Sequence, residues 1–242
     1  MFVARLDGVR GTQARARTDQ PHCPSSLYGP APRTLLHSRG AHNETTRALD
    51  GRDTHRVHVG ALEAQGVMTV TGELGVATTE EITAMISDWD VVVFTAGSNA
   101  GAQSTTDAID DAALRRVSDS VAATPEKRLI LLSVMPEAWR ERQLSDDEEH
   151  YFAVKKRAEV ALTRQPIDWV ILRPSLLTDD PGRGTVALGP AELHDEITRE
   201  DVAAVLEALV LEPTVNRRIL EVNTGPTAIT EAVGRIARSY QA

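Results

Sequence analysis

The chain has 242 residues, of which 41% are hydrophobic and 25% are charged, and it carries a net charge of −9. These values are ordinary for a soluble globular protein, and the length suits one α/β domain. The negative charge argues against non-specific binding to nucleic acid, and no apolar run approaches the roughly 18 residues that a membrane span needs. The single cysteine, Cys23, cannot form an internal disulfide, and the first ten residues lack a secretory-signal pattern, so a cytoplasmic protein is expected.

Residues 1–60 differ in composition from the rest of the chain. They hold nine arginines, no lysine, five of the seven histidines and four of the 12 prolines. Their apolar residues show no sustained period, Phe2–Ala4 is too short to predict a buried strand, and residues 56–59 alternate as an edge strand would. The histidine spacings match no common zinc pattern, so no metal site is expected.

Three interpretations of this segment remain open. It is an irregular or poorly ordered arm, an arginine-rich transit peptide, or a first βαβ unit whose reading frame has been altered. Asp7 and Asp19 weaken the second interpretation, because transit peptides are poor in acidic residues. The predicted organisation is therefore an irregular segment at 1–60 followed by a Rossmann-like domain at 61–242.

From residue 61 onward, strand-like and helix-like segments alternate. Short runs rich in apolar residues predict strands at 67–71, 90–95, 128–133, 168–173, 185–188 and 218–223. Helical periodicity and N-terminal capping signals predict helices at 78–87, 107–123, 145–164, 198–211 and 227–238. Ser145-x-x-Glu148 is a capping box, in which each side chain satisfies a backbone N–H of the other residue.

This alternation is typical of βαβ units. The predicted fold class is α/β: a Rossmann-like, mostly parallel sheet with helices on both faces and an irregular first βαβ unit. Ligands of such sheets bind at the carboxyl ends of the strands. The residues that follow each predicted strand are therefore the candidate site residues.

Small and polar residues follow two of these strands. Thr95, Ala96, Gly97 and Ser98 come after a buried strand, where small side chains let a flat ligand approach the backbone. The same residues also suit an ordinary turn. Ser133 ends the next strand, and its hydroxyl would face the same edge of the sheet, although a serine in this position often has only a structural role.

Tyr151 and Lys155 are four residues apart on a predicted helix, so they share a face. A nearby ammonium favours the phenolate, so Lys155 is expected to lower the pKa of Tyr151 toward working pH. Tyrosine then becomes a usable general acid or base for a carbonyl/alcohol pair, with Ser133 holding the substrate oxygen. The alternative is a tyrosine that packs on the sheet beside a solvated lysine.

Arg173, Pro174 and Ser175 end the strand at 168–173 and lead into a polar loop. A strand that stops at a proline and enters such a loop can wall a ligand pocket. The alternative is an ordinary loop that leaves a strand.

In order, the segments TVTGEL, DVVVFTAGSNAG, LILLSV, YFAVK, DWVILRPSLLTDDPGRG and ITREDVAAVL resemble the atypical short-chain dehydrogenase/reductase family. The resemblance covers roughly residues 61–235. It is greatest to small NAD(P)-binding bacterial proteins of the NmrA-like or epimerase-like type, which include flavin- and biliverdin-reductase-like members. It implies an NAD(P) cofactor, with NAD and NADP undistinguished, and a small carbonyl or alcohol substrate.

The resemblance also implies roles for individual residues. Ser133, Tyr151 and Lys155 would be catalytic, with Lys155 also bonding the nicotinamide ribose. Thr198 and Asp201 match a recurring family motif with a structural role. The other implied cofactor contacts are Glu73 and Leu74 near the adenine, Thr95, Ala96, Gly97 and Ser98 along the dinucleotide, and Arg173, Pro174 and Ser175 beside the nicotinamide.

The chain also departs from the family pattern. The glycine-rich turn that cradles the pyrophosphate is not recognisable: residues 8–14 have G-x-x-G-x-x-A spacing, but no convincing strand precedes them. Ser133 is followed by Val134, so the commoner serine pair is absent.

Taken together, the sequence predicts an NAD(P)-dependent oxidoreductase that is a monomer or a homodimer. Two alternatives remain open: a non-catalytic NAD(P)-binding sensor of the NmrA type, or a protein that has lost dinucleotide binding.

Overall fold

The computed structural model describes residues 72–124, 126–138 and 140–239, together with two short strands at 2–4 and 34–36. The strands in this part of the chain are β1 Phe2–Ala4, β2 Thr34–Leu36, β3 Val91–Phe94, β4 Arg128–Leu132, β5 Asp168–Pro174, β6 Leu176–Thr178, β7 Thr185–Gly189, β8 Glu196–Thr198, β9 Arg218–Thr224 and β10 Thr227–Ala228. The helices are α1 Thr79–Ile86, α2 Gln103–Thr106, a π-helical segment Asp107–Ala113, α3 Leu114–Ala122, α4 Asp146–Thr163, α5 Arg199–Leu211 and α6 Ile229–Arg238.

The described strands form one large sheet in the order β10-β7-β9-β5-β4-β3-β1-β2, and β6 pairs with β8 in a separate small sheet. Its central strands β3, β4, β5 and β9 are parallel, which confirms the mostly parallel, Rossmann-like architecture. The flanking strands β7, β10 and β1 are antiparallel to their neighbours. Phe2–Ala4, which looked too short for a strand, forms β1 along β3.

Helices cover both faces of the sheet. All four residues of β3 are buried: Val92 and Phe94 pack in the core with α1, α3 and α4, while Val91 and Val93 pack in the core with α5 and α6. Alternate side chains of a strand point to opposite faces, so a strand covered on both sides must be apolar throughout. This is why the run of valines in the sequence was a reliable strand signal.

Local signals set the helix boundaries. The predicted capping box at Ser145 and Glu148 opens α4, and Thr78 and Glu81 form a second box that opens α1. The helix predicted at 107–123 begins earlier, at Gln103, and passes through the π-helical segment before it becomes α3. A π-helical segment is not visible in apolar periodicity, so the sequence could not predict it.

Several predictions concern residues outside the described ranges. They are the strand at 67–71, the possible edge strand at 56–59, the glycine spacing at 8–14 and the boundary near residue 60, together with nearly all of segment 1–60. In the described part of the chain, no helix is long and apolar enough to cross a membrane. No group of histidine, cysteine and carboxylate side chains among these described residues could hold a metal ion.

Thr198 and Asp201 have the structural role that the resemblance implied. Thr198 caps α5 by accepting the backbone N–H of Asp201, and its hydroxyl donates to the Asp201 carboxylate at 2.9 Å. Asp201 is buried and also accepts the backbone N–H groups of Arg183 and Gly184 at 3.0 and 2.8 Å. The pair therefore joins the start of α5 to the loop before β7.

Replacing Asp201 with asparagine should destabilise the fold by about 2 kcal/mol near neutral pH, because an amide nitrogen would face backbone donors. Burial raises the pKa of Asp201, but the hydrogen bonds from Arg183, Gly184 and Thr198 outweigh it and hold the pKa below 3.8. The carboxylate's stabilisation is therefore present above that value and is lost as pH falls through the folded pKa. Urea unfolding measures the difference in the free energy of unfolding between the wild type and Asp201→Asn, which should be smaller in acid than near neutral pH. The control is Glu200→Gln, because the exposed Glu200 side chain accepts the backbone N–H of Gly182.

Candidate functional site

The carboxyl ends of β3, β4 and β5 bring the predicted site segments to one edge of the sheet. Residues 95–98 follow β3, Ser133 follows β4, and residues 173–175 lie at the end of β5. These three strands are parallel and adjacent, so their ends must meet. The separation of these segments along the chain therefore does not separate them in space.

The loop after β3 is fixed by hydrogen bonds rather than by large side chains. The Ser98 backbone N–H donates to Asp110 Oδ2 at 2.9 Å, and the Ser98 hydroxyl lies 2.7 Å from the Thr106 hydroxyl. Asn99 and Ala100 adopt positive φ angles of 53° and 55°, which are uncommon for residues other than glycine. These bonds hold the loop in a strained conformation of the kind that clusters at functional sites.

Lys155 is buried against this loop through an ion pair with Asp110. Its Nζ lies 3.2 Å from Asp110 Oδ1, and the two residues are only 5% and 1% exposed. Asp110 lies on the π-helical segment, so it joins the loop after β3 to α4. Asp110 was not among the predicted site residues; its place three and four residues before Ala113 and Leu114 in the helix predicted at 107–123 was a signal of a buried carboxylate.

Tyr151 lies beside Lys155, as the spacing of four predicted. The Lys155 Nζ is 5.8 Å from the centre of the Tyr151 ring. The rings of Tyr151 and Phe152 pack against each other edge to face. Lys155 lowers the Tyr151 pKa, as predicted, but the predicted net shift toward working pH is wrong. Burial raises the pKa of Tyr151 above 10.0, Lys155 opposes this, and Asp110 raises it further. Lysine acts as expected, but its effect is smaller than that of desolvation.

Lys155 itself remains an ammonium. Burial lowers its pKa, but the neighbouring Tyr151, Asp110 and Glu159 outweigh burial and hold the pKa above 10.5. A buried cation stays charged only when anions face it at short range. Lys155 is buried, so it is not the solvated lysine of the alternative interpretation.

Ser133 offers an unpaired hydroxyl at the same edge. It is 4% exposed, its backbone N–H donates to Leu172 O at 2.8 Å, and its Oγ has no hydrogen-bond partner among the described residues. Leu131 packs in the core with α4, and side chains alternate along a strand, so Ser133 points to the α4 side. A buried hydroxyl without a partner is rare in native structures and is available to a ligand oxygen.

The Arg173 side chain is held within the protein. Its guanidinium donates to both carboxylate oxygens of Glu159, at 3.2 and 2.5 Å, and lies 3.6 Å from Glu221. Burial lowers the Arg173 pKa, but these two carboxylates outweigh it and raise the pKa above its usual value. Ser175 donates its hydroxyl to Leu193 O and accepts the backbone N–H of Asp195, so its side chain is also engaged.

Glu73 and Leu74 lie in the turn before α1. The Leu74 side chain is buried in the core, and its carbonyl accepts Arg116 Nη2–H at 2.9 Å. The Glu73 side chain is exposed, and its carbonyl accepts the backbone N–H of Ala77. Of these two side chains, only that of Glu73 can reach a ligand. Leu74 positions the turn.

Comparison with known proteins identifies the family. The model of a family described as NAD(P)H-binding matches residues 35–213. The chain belongs to this family. NAD(P) is therefore its cofactor, as the resemblance implied. The described residues fit such a ligand, because small residues follow β3 and an unpaired hydroxyl and a buried ammonium lie at the same edge of the sheet.

Individual relatives agree with this assignment. The chain is 29% identical to the uncharacterized sugar epimerase YhfK of Bacillus subtilis, over 73% of this chain and 82% of that protein. A solved structure from Bacillus halodurans carries the name of a proposed NAD-dependent epimerase/dehydratase. It is 27% identical in sequence and superposes with a TM-score of 0.64, and the match covers 73% of this chain and 82% of that chain. ChuY of Escherichia coli O157:H7, an anaerobilin reductase, is 25% identical with a TM-score of 0.55 and covers 72% and 84%.

Proposed function

We propose that this protein is an NAD(P)-dependent oxidoreductase that interconverts a small carbonyl compound and its alcohol, with Ser133, Tyr151 and Lys155 as the catalytic residues. The carrying observation is the side-by-side placement of the Tyr151 ring and the buried Lys155 ammonium, where the loop after β3 reaches α4. A phenol beside a fixed cation is suited to proton exchange with a substrate oxygen. The unpaired Ser133 hydroxyl supports the proposal, because it can donate to that oxygen.

In this function the cofactor supplies or accepts hydride, and the protein supplies position and a proton. Tyr151 exchanges its phenolic proton with the substrate oxygen, and Ser133 holds that oxygen by a hydrogen bond. Lys155 would donate a hydrogen bond from its ammonium to a ribose hydroxyl of the dinucleotide. Residues 95–98 would hold the dinucleotide through their backbone, with Glu73 near its adenine end and Arg173, Pro174 and Ser175 near its nicotinamide end.

Lys155→Gln should weaken NADPH or NADH binding about tenfold, because one charge-assisted hydrogen bond to the ribose is lost while a polar group still faces Asp110. Calorimetric titration of both cofactors would measure this and would also show which dinucleotide binds. The matched control is Lys156→Gln: Lys156 is exposed and ion-paired with Glu137, and its loss should leave the affinity unchanged.

The same protein should oxidise NADPH or NADH in the presence of a panel of small aldehydes and ketones. Cofactor binding without turnover on any of them would favour the sensor alternative. If neither dinucleotide binds at millimolar concentration, the proposed function is wrong and only the fold remains.

A further inference from the structure

We propose that Asp110 is a positioning residue that anchors Lys155 to the loop after β3 and offsets part of the ammonium charge, which helps Tyr151 to remain a phenol and the site to work as a carbonyl reductase. This inference rests on the proposed function and deepens it by giving the direction of the proton transfer. Neither the family assignment nor the relatives give a role to Asp110.

The carboxylate of Asp110 is divided between two parts of the site. Oδ2 accepts the Ser98 backbone N–H at 2.9 Å, and Oδ1 lies 3.2 Å from Lys155 Nζ. The residue is 1% exposed, so water does not screen either interaction. The buried Asp110 side chain therefore holds both the loop after β3 and Lys155, and a movement of Asp110 would disturb both contacts.

The π-helical segment explains why Asp110 alone reaches Lys155. Three acidic side chains of this segment face α4, but Asp107 pairs with His150, and Asp111 pairs with Arg157 and Arg115 at the exposed edge. Widening of the helix to the π form changes which side chain faces inward, and such segments are frequent at functional sites. The structure thus separates one buried carboxylate, Asp110, from the half-buried Asp111 and the exposed Asp107.

Burial favours the phenol of Tyr151 over the phenolate, and the Asp110 carboxylate adds to this by opposing the Lys155 ammonium. The ionisable groups that face it are Lys155 from its own helix and Asp110 from the π-helical segment. Glu159, one turn beyond Lys155, is held by Arg173. Asp110 offsets part of the effect that Lys155 has on the Tyr151 pKa, and burial disfavours the phenolate most strongly.

A phenol that keeps its proton acts as an acid. In the reduction, the carbonyl carbon gains a hydride from NAD(P)H, which is oxidised to NAD(P)⁺, and the carbonyl oxygen gains the Tyr151 proton. The product is an alcohol, and solvent returns a proton to the phenolate. The reverse oxidation needs the phenolate first, so burial of Tyr151, reinforced by Asp110, shifts that reaction toward alkaline pH.

The test is a titration of Tyr151 in the cofactor-free full chain, followed by the ultraviolet absorbance of tyrosinate. The corresponding Tyr151→Phe curve is subtracted to remove the other two tyrosines. Asp110→Asn keeps an acceptor for the Ser98 N–H but removes the charge that opposes Lys155. It should therefore lower the Tyr151 midpoint by on the order of one pH unit. Asp111→Asn removes a neighbouring carboxylate that does not face Tyr151, and should leave the midpoint unchanged.

An unchanged midpoint in folded Asp110→Asn would overturn the inference and leave Asp110 a purely structural residue. If that variant does not fold, the titration is repeated on Lys155→Gln. Loss of the cation should raise the Tyr151 midpoint, and an unchanged or lower midpoint would also overturn the inference. Neither measurement needs cofactor or substrate. A failed titration is therefore distinguishable from a failure of the proposed function, which would appear as absent NAD(P)H binding or turnover.

Discussion

Replacing Tyr151 with phenylalanine should lower NAD(P)H-dependent turnover by about two to four orders of magnitude, which is the usual contribution of a positioned general acid. The substitution removes only the hydroxyl. The ring keeps its edge contact with Phe152 and its place beside Lys155, so the fold should be unaffected. Cofactor affinity should also be retained, because the dinucleotide is expected to bond to Lys155 rather than to the phenol.

The measurements are kcat on the best carbonyl substrate, the Kd for the preferred cofactor and the thermal midpoint of unfolding. A loss confined to kcat assigns the phenol to the chemical step. Turnover within a few-fold of wild type, with unchanged affinity, would remove Tyr151 from the mechanism. A parallel loss of affinity and stability would indicate a packing role instead.

Replacing Arg128 with methionine should destabilise the protein by roughly 3 kcal/mol, because buried carbonyl groups lose their charged donor. Arg128 begins β4 at the amino end of the strand, far from the proposed site, and is 6% exposed. Its guanidinium donates to Leu209 O at 2.7 Å and to Val215 O. These bonds fasten the end of α5 and the loop that follows it to the sheet.

Urea unfolding of Arg128→Met would measure this loss. Arg199→Met is the matched control, because Arg199 forms an exposed ion pair with Asp179 at 2.8 Å, and such pairs contribute at most about 1 kcal/mol. The specific activity of the folded Arg128 variant should be normal. Equal stabilities for the two variants would show that the carbonyl groups near Arg128 find other donors.

The central elements of the fold could be predicted because each has a local cause. The buried run at Val91–Phe94 and the capping box at Ser145 and Glu148 are both readable from a few adjacent residues, and both lie where they were expected. The shortest strands were not predictable. Strand β10 at the edge of the large sheet and strands β6 and β8 of the small sheet have only two or three residues, and their pairing depends on partners far along the chain.

The candidate site was predictable only in part. The spacing of Tyr151 and Lys155 sufficed to place them together, and the strand ends indicated where Ser133 would lie. The sequence could not reveal that Arg173 is held by Glu159 and Glu221, since the three residues belong to three different elements. Pairing of this kind depends on the packing of α4 across β5 and β9.

Short-range patterns alone determined the alternation of strands and helices, the parallel centre of the sheet and the identity of the tyrosine–lysine pair. Periodicity and capping depend on residues within one or two helical turns, so they can be read directly from the chain. Tertiary structure decided the sign of the Tyr151 pKa shift. That sign depends on how deeply the phenol is buried and on the Asp110 carboxylate, which a π-helical segment 41 residues away along the chain brings beside Lys155. Desolvation and charge act through space, so no local pattern around Tyr151 contains them.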